Sequence, residues 1–414
     1  MKKNFRKTWL LAGAACLTLL FAGCAKVDSP AAAETAAAPV DLKICISNIN
    51  MSKESLDELS DFYLESHPEI NSIKWEIVSD DSYYNLLKMN LASGQLPDII
   101  MVNGSNELQE WSGHLIPLGE TRAAAALDGR VLEGSRWNSD CYSLPIMYEE
   151  VGILYNMEIL ESAGWNRIPV TFQELKRLCE DVKAAQKKVF INSYMNTSKM
   201  IESGLMQMVS MKKHPELYML VLEKNNQSRI ANDTEWNELM DFYDLTLSYG
   251  NRRPLEISSD LARNYFAIGK YAMIVNESLD GFSHMNLSQE MKDKIQVGPL
   301  LLSDDEEKNK MQIKVIRLGI TKDCSAPKEA TAFLDWLADG DGDSPLREIQ
   351  REGLAGWLAD DRTTIGMRRT VPSVMVEKMI PIWTQYISQE ISRDVFYEEV
   401  SASLQDYAKK YNRR

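Results

Sequence analysis

Residues 94–102 read Gly-Gln-Leu-Pro-Asp-Ile-Ile-Met-Val. Ile99–Val102 is a short apolar run behind a Pro-Asp turn, which predicts a strand buried on both faces. Upstream, Asp41–Ser47 (DLKICIS) and Ser72–Val78 (SIKWEIV) alternate and carry β-branched residues, so both are predicted strands. Between them, Ser52–Ser66 sets Leu56, Leu59, Phe62 and Tyr63 at helical spacing behind Ser52 as N-cap. Asp81–Ala92 turns Leu86, Leu87 and Leu91 inward and stops at Gly94. The order β-α-β-α-β implies α/β architecture: a largely parallel sheet with helices on both faces.

The same style continues downstream. Gly152–Tyr155, Tyr271–Val275 and Val315–Thr321 read as strands, and Glu329–Leu337 as a helix. Thr171–Ala185 opens with a capping box, Thr171 as N-cap and Glu174 three residues on. Ser303–Lys310 is a solvated charged loop, and Gly340–Asp343 (GDGD) reads as a turn rather than a calcium loop. Trp75, Trp236 and Trp336 fall in strand or helix patterns and are expected in the core.

The chain has 414 residues, 44% of them hydrophobic, enough for a large core and two domains. Its net charge is −14, from 46 basic and 60 acidic residues, so it lacks the basic footprint of a nucleic-acid binder. The four histidines, His67, His114, His214 and His284, show no metal-site spacing, and neither metal nor cofactor is expected. Residues 1–23 carry a basic start (Lys2, Lys3, Arg6, Lys7) and an apolar run too short to span a bilayer, the pattern of a signal peptide. Phe21-Ala-Gly-Cys24 resembles a lipobox, which makes Cys24 the expected lipidated residue of a mature chain. That mature chain would hold 391 residues with net charge −18. Residues 24–40, rich in Ala with Ser, Pro and Glu, read as a tether. Cys45, Cys141, Cys179 and Cys324 form no CxxC motif and are expected to be buried free thiols.

Ligands of open α/β sheets bind beyond the carboxyl ends of strands. That rule selects Ser47–Asn50, Asn103–Asn106, Tyr148–Glu150, Asn192–Asn196 and Asn276–Ser278. These loops are rich in amide, hydroxyl and carboxylate groups that suit sugar hydroxyls, although the same residues also suit caps and turns. Asn48, Asn50, Asn103, Ser105, Glu149, Tyr194, Asn276 and Glu277 are the candidates.

Four stretches, taken together, resemble one family. They are Leu91-Ala-Ser-Gly-Gln-Leu-Pro-Asp-Ile-Ile100; Leu144-Pro145 with Gly152-Ile-Leu-Tyr-Asn156, Leu160–Gly164 and Thr171–Leu175; Phe266–Met273; and Gly319–Lys322 with Lys328–Ala330 and Phe333-Leu334. In order and spacing they resemble the family 1 extracellular solute-binding proteins of ABC importers, the group that includes maltose-binding protein. The resemblance implies two hinged α/β lobes: 41–145 with 318–370, and 146–317 with 371–414. It places Glu149 at a hinge contact, Asn276 at a ligand contact and Trp383 at a sugar-stacking position. Two further stacking positions of maltose-binding protein fall on Val102 and Leu279, so maltose itself is not implied, and Trp137 or Trp357 would have to replace them. The implied protein is a monomeric, non-catalytic receptor, lipid-anchored at the extracellular face of the bacterial cell membrane. It delivers a carbohydrate to ABC permease subunits. A cationic metabolite or peptide is the alternative ligand, and a two-carboxylate glycosidase the alternative activity.

Overall fold

The computed structural model describes residues 38–47, 51–224, 230–277, 289–339, 356, 358–360, 362–366 and 371–411. The elements below lie within one compact unit, Pro39–Arg414. Cys24, Asn48, Asn50, Leu279, Trp357 and the GDGD segment lie outside the described residues.

The N-terminal third follows its sequence closely. β1 (Val40–Ser47), β2 (Ile70–Val78) and β3 (Ile99–Met101) pair in parallel with β1 in the middle. α1 (Lys53–Leu64) and α2 (Asp80–Ser93) make the crossovers. Ser52 Oγ accepts the Ser55 N–H at the start of α1, satisfying one orphan donor of the first turn. Gly94 closes α2 at φ 66°, a left-handed position that favours glycine. The Tyr83 hydroxyl, fully buried, accepts the Met101 N–H at 2.7 Å and locks α2 onto the end of β3.

Further along come α3 (Ser105–Trp111), β4 (Leu144–Asn156), α4 (Phe172–Ala184), β5 (Phe190–Ile191), α5 (Thr197–Ser210) and α6 (Thr234–Tyr249). Then follow α7 (Ser259–Ala267), β6 (Met273–Glu277), β7 (Ile295–Gly298) and β8 (Met311–Ile320). The chain closes with α8 (Pro327–Ala338), β9 (Thr363–Ile365), α9 (Ser373–Ile387) and α10 (Arg393–Tyr411). Thr171 Oγ1 accepts the Glu174 N–H, completing the expected cap of α4.

Among the described residues nine strands join in one sheet of order β2-β1-β3-β8-β4-β6-β5, with β9 on β8 and β7 on β4. The expectation of a largely parallel sheet is corrected here. β8 runs antiparallel to β3 and β4, and β4 antiparallel to β6 and β7, so the sheet is mixed. The reason is connectivity: β4 carries the chain out of one core, and β8 brings it back alongside. Adjacent strands that leave and return must oppose each other. β4 is also far longer than its apolar segment Gly152–Tyr155, because pairing with β8 keeps Tyr148-Glu149-Glu150 extended.

Two cores result. The first gathers Leu42, Ile44, Leu56, Tyr63, Trp75, Ile99, Ile100 and Trp111 against Phe333 and Trp336 of α8. The second gathers Tyr155, Leu175, Phe190, Met208, Trp236 and Tyr243 against Trp383 and Phe396. A small apolar patch of Val131, Tyr148, Ile313 and Val315 lies at the waist where β4 and β8 pass between them. All four described cysteines are buried free thiols, and burial pushes Cys45 and Cys324 each up to about 12.

Candidate ligand-binding cleft

In the sheet β3 borders β8 and β6 borders β4, with β5 beyond β6. On the first lobe, Asn103 is already engaged. Its Oδ1 accepts the Arg317 N–H at 3.0 Å, and its own N–H donates to Glu107 Oε2 at 2.6 Å. Val102 N–H donates to the Arg317 carbonyl, so the loop after β3 is sewn to the hinge strand β8. Ser105 is buried at the first turn of α3. Glu107, half-buried, also hydrogen-bonds the Tyr84 hydroxyl of α2. Burial pushes the Glu107 carboxyl up to about 6, against the hydrogen bonds from Tyr84 and Asn103.

On the second lobe, Asn276 has a specific backbone cause for its position. Gly152 pairs with Glu277 and Ile153 with Val275, so Asn276 is the extra residue of a β-bulge, at φ 61°. Asn tolerates this left-handed position better than most side chains. Its side chain is 5% exposed and hydrogen-bonds Tyr243, yet its Oδ1 has no protein partner. Next to it, Glu277 takes the Arg263 Nε and Nη2 on one oxygen, each at 3.0 Å, with Lys199 Nζ at 3.6 Å. The carboxylate is therefore neutralised by two cations of its own lobe. Glu149 is buried on β4, opposite Lys314 of β8.

Two expected contacts, Trp383 and Tyr194, are relocated by the fold. Trp383 is fully buried, edge-on to Tyr243 at 5.1 Å and to Phe396 at 4.8 Å, so it packs the second core rather than offering a stacking face. The apolar run of α9 drives it inward. Tyr194 is also a core residue: its hydroxyl meets Thr246 Oγ1 at 2.7 Å and its ring is edge-on to Tyr243. Trp137 packs half-buried on the first core from a two-residue hairpin.

Sequence reading missed Tyr84, Glu107, Glu202, Lys199 and Arg317. Only Arg317 carried a signal, a charged residue inside the apolar strand Val315–Ile320. α9 packs against α2, so the two lobes meet, and the charge of Glu202 on α5 acts on both Tyr84 and Glu107. Among the described residues no group of three or more His, Cys, Asp or Glu could hold a metal ion, and no helix is long and apolar enough to cross a membrane.

Two α/β lobes joined through paired hinge strands, with polar strand-end loops at the waist, define the class of two-lobed solute-binding proteins. The chain belongs to the bacterial extracellular solute-binding protein family, whose pattern matches residues 53–342. It is 26% identical over 194 residues to the multiple sugar-binding protein of Streptococcus mutans serotype c, a match covering 45% of this chain and 44% of that one. The chain thus spans less than half the length of that curated relative. Its fold is similar to maltose-bound MalE3 of T. maritima, at TM-score 0.70 and 15% identity over 88% of this chain and 99% of that one. It is also similar to SBP RafE in complex with raffinose, at TM-score 0.68 and 17% identity over 89% and 100% of the two chains.

Proposed function

We propose that the protein is the ligand-capturing receptor of an ABC importer and takes a mono- or oligosaccharide between its lobes. The observation that supports this reading is the pair of strands β4 and β8, which run side by side between two cores. Support also comes from the sugar-binding relative in Streptococcus mutans and the sugar complexes that share the fold. Lobe one is 41–145 with 318–370, and lobe two 146–317 with 371–414. Asn48, Asn50, Asn103, Ser105, Glu149 and Asn276 supply the polar contacts. Asn276 is the strongest of them, because its buried Oδ1 awaits a donor such as a sugar hydroxyl. Ligand stabilises the closed form by differential affinity and no bond is broken. Lipidation at Cys24 and the 24–40 tether hold the receptor, as a monomer, at the outer face of the membrane beside its permease subunits.

A cationic solute is the second reading, favoured by the half-buried carboxylate of Glu107 beside Asn103. Thermal-shift titration of the full chain with sugars, polyamines and short peptides separates the two, since a ligand specific to the folded state raises the melting temperature. A shift with polyamines and none with any carbohydrate would reject the sugar reading. Released hydrolysis products would reject the non-catalytic one.

A further inference from the structure

We infer that lobe two carries a docking face for an anionic lipid surface, built at the amino ends of β5, β6 and β7 from lysines, two tyrosines and the exposed Ile268. Lys187 and Lys188 precede β5, Lys270 precedes β6, and Lys292 and Lys294 precede β7. Backbone bonds draw these ends together. The Ala272 N–H donates to the Lys188 carbonyl oxygen at 2.9 Å, the Asn156 N–H to that of Ala272 at 2.8 Å, and the Met157 N–H to that of Lys294 at 2.8 Å. Lys187, Lys188, Lys270 and Lys292 are exposed. Among the described side chains two carboxylates stand between them: Glu158 pairs with Lys294 at 2.9 Å, and Asp293 is exposed. Lysines therefore outnumber carboxylates at this end, in a mature chain whose expected net charge is −18.

The side chains form one continuous run of contacts. Lys188 Nζ stands 5.2 Å from the Tyr271 ring centre, the Tyr271 and Tyr265 rings lie 6.3 Å apart, and Lys270 Nζ sits 3.9 Å over Tyr265. Ring quadrupoles thus hold two of the ammonium groups in place. Ile268 follows α7, between Tyr265 and Lys270 in sequence. It is 73% exposed, more than any other large hydrophobic side chain among the described residues. An exposed aliphatic beside tyrosines and lysines suits a lipid interface: the apolar group enters the acyl boundary while the amphipathic side chains stay at headgroup level. A soluble polyanion would engage the lysines and leave Ile268 in water. That contrast selects lipid as the partner.

The place of this face in the sheet gives docking its consequence. Asn192 follows β5, and Asn276 lies near the carboxyl end of β6. The lysines sit at the opposite ends of the same strands. Docking therefore turns the candidate ligand contact of β6 away from lipid and toward the medium. An anchor alone does not set this orientation, because a tether of residues 24–40 can span up to about 60 Å. The inference rests on the reading of the chain as held at a membrane, and not on the identity of its ligand.

The test uses the full chain with Cys16→Ser and Cys24→Ser, held on vesicles by an N-terminal hexahistidine tag and a nickel-chelating lipid, so it does not depend on lipidation. A fluorophore is attached at Asn264→Cys on α7 or, as a control, at Asp61→Cys on α1, both exposed positions. The four described native thiols are buried and stay unlabelled. Phospholipids with nitroxide headgroups quench a dye that reaches the membrane. On phosphatidylcholine vesicles containing about a third phosphatidylglycerol, the α7 dye should be quenched and the α1 dye should not. On phosphatidylcholine alone, or at high salt, quenching of the α7 dye should fall. Lys188→Gln with Lys270→Gln should lower the ratio of docked to undocked molecules about tenfold or more, since each lysine near such a surface contributes about fivefold. Lys188→Arg with Lys270→Arg should keep it, and Ile268→Ser should lower it several-fold. Thermal melts verify that the variants fold. Equal quenching of the two dyes, no dependence on phosphatidylglycerol, or full docking of the glutamine variant overturns the inference. Binding of soluble polyphosphate without lipid quenching assigns the lysines to a polyanion and likewise overturns it. An unlipidated Cys24 in cells would reject the anchor and leave this measurement unchanged.

Discussion

Arg317 Nη2 donates to the Val131 carbonyl oxygen at 3.0 Å across 186 residues of sequence. The guanidinium lies directly against backbone: a Cβ on Gly134 would stand 2.8 Å from Cζ, and one on Gly366 2.8 Å from Nη2. Among the described residues no carboxylate forms an ion pair with Arg317, and burial pulls its pKa down to about 10. Two segments, residues 131–134 and that of Gly366, thus converge with the hinge strand on one buried cation.

That packing predicts that Gly134→Ala costs about 1–3 kcal/mol, since the methyl group must displace the guanidinium or the backbone that carries it. Arg317→Met, similar in length and uncharged, should cost less than Arg317→Ala: both take the guanidinium donors from two carbonyls, but Ala also leaves a cavity. Urea denaturation midpoints read the order; an equal cost for Met and Ala would contradict it.

Trp383→Ala should destabilise the chain by about 3–5 kcal/mol, the range for removing a large aromatic from a packed core. Trp383→Phe should recover much of that loss. Were Trp383 a ligand platform, Ala would instead leave the denaturation midpoint nearly unchanged and weaken binding alone.

At the β-bulge, Asn276→Gly and Asn276→Ala separate backbone from side chain. Both remove the amide, but only Ala must hold a Cβ at φ 61°. Ala is expected to be less stable than Gly by about 1 kcal/mol, read by thermal or urea melts. Both variants should lose ligand affinity alike if the orphan Oδ1 is a ligand contact.

Cys45, Cys141, Cys179 and Cys324 should resist a thiol reagent in the native protein near pH 8. Each is buried, and burial raises every one of the four thiols, so the reactive thiolate is scarce. All four should react once the chain is unfolded. Rapid labelling of any of them in the native state would mean that its surroundings open readily.

Much of the local structure was legible in sequence because its signals span only a few residues. Ser52, Thr171 and Gly94 act within one helical turn, and the strand alternations need only their own residues. The strand-end rule also located the turn at Asn103, whereas Asn276 lies inside β6 at a bulge. What those side chains do there was not legible. Asn103 and Glu277 are engaged by Arg317 and Arg263, partners 214 and 14 residues away in sequence. Nor does periodicity distinguish an aromatic that faces a cleft from one that faces a core, which is why Trp383 and Tyr194 read as contacts and lie inside.

By itself the sequence determined the α/β class, the family and the loops that gather at the waist, since capping, alternation and motif order are properties of short segments. Only the tertiary structure decided the mixed sheet, the two cores and the burial of Arg317 against the Val131 and Val315 carbonyl oxygens. Those features depend on β4 and β8 running side by side. The pairing of Lys314 with Glu149 and of Val315 with Tyr148 joins residues more than 160 positions apart, and no local pattern encodes it.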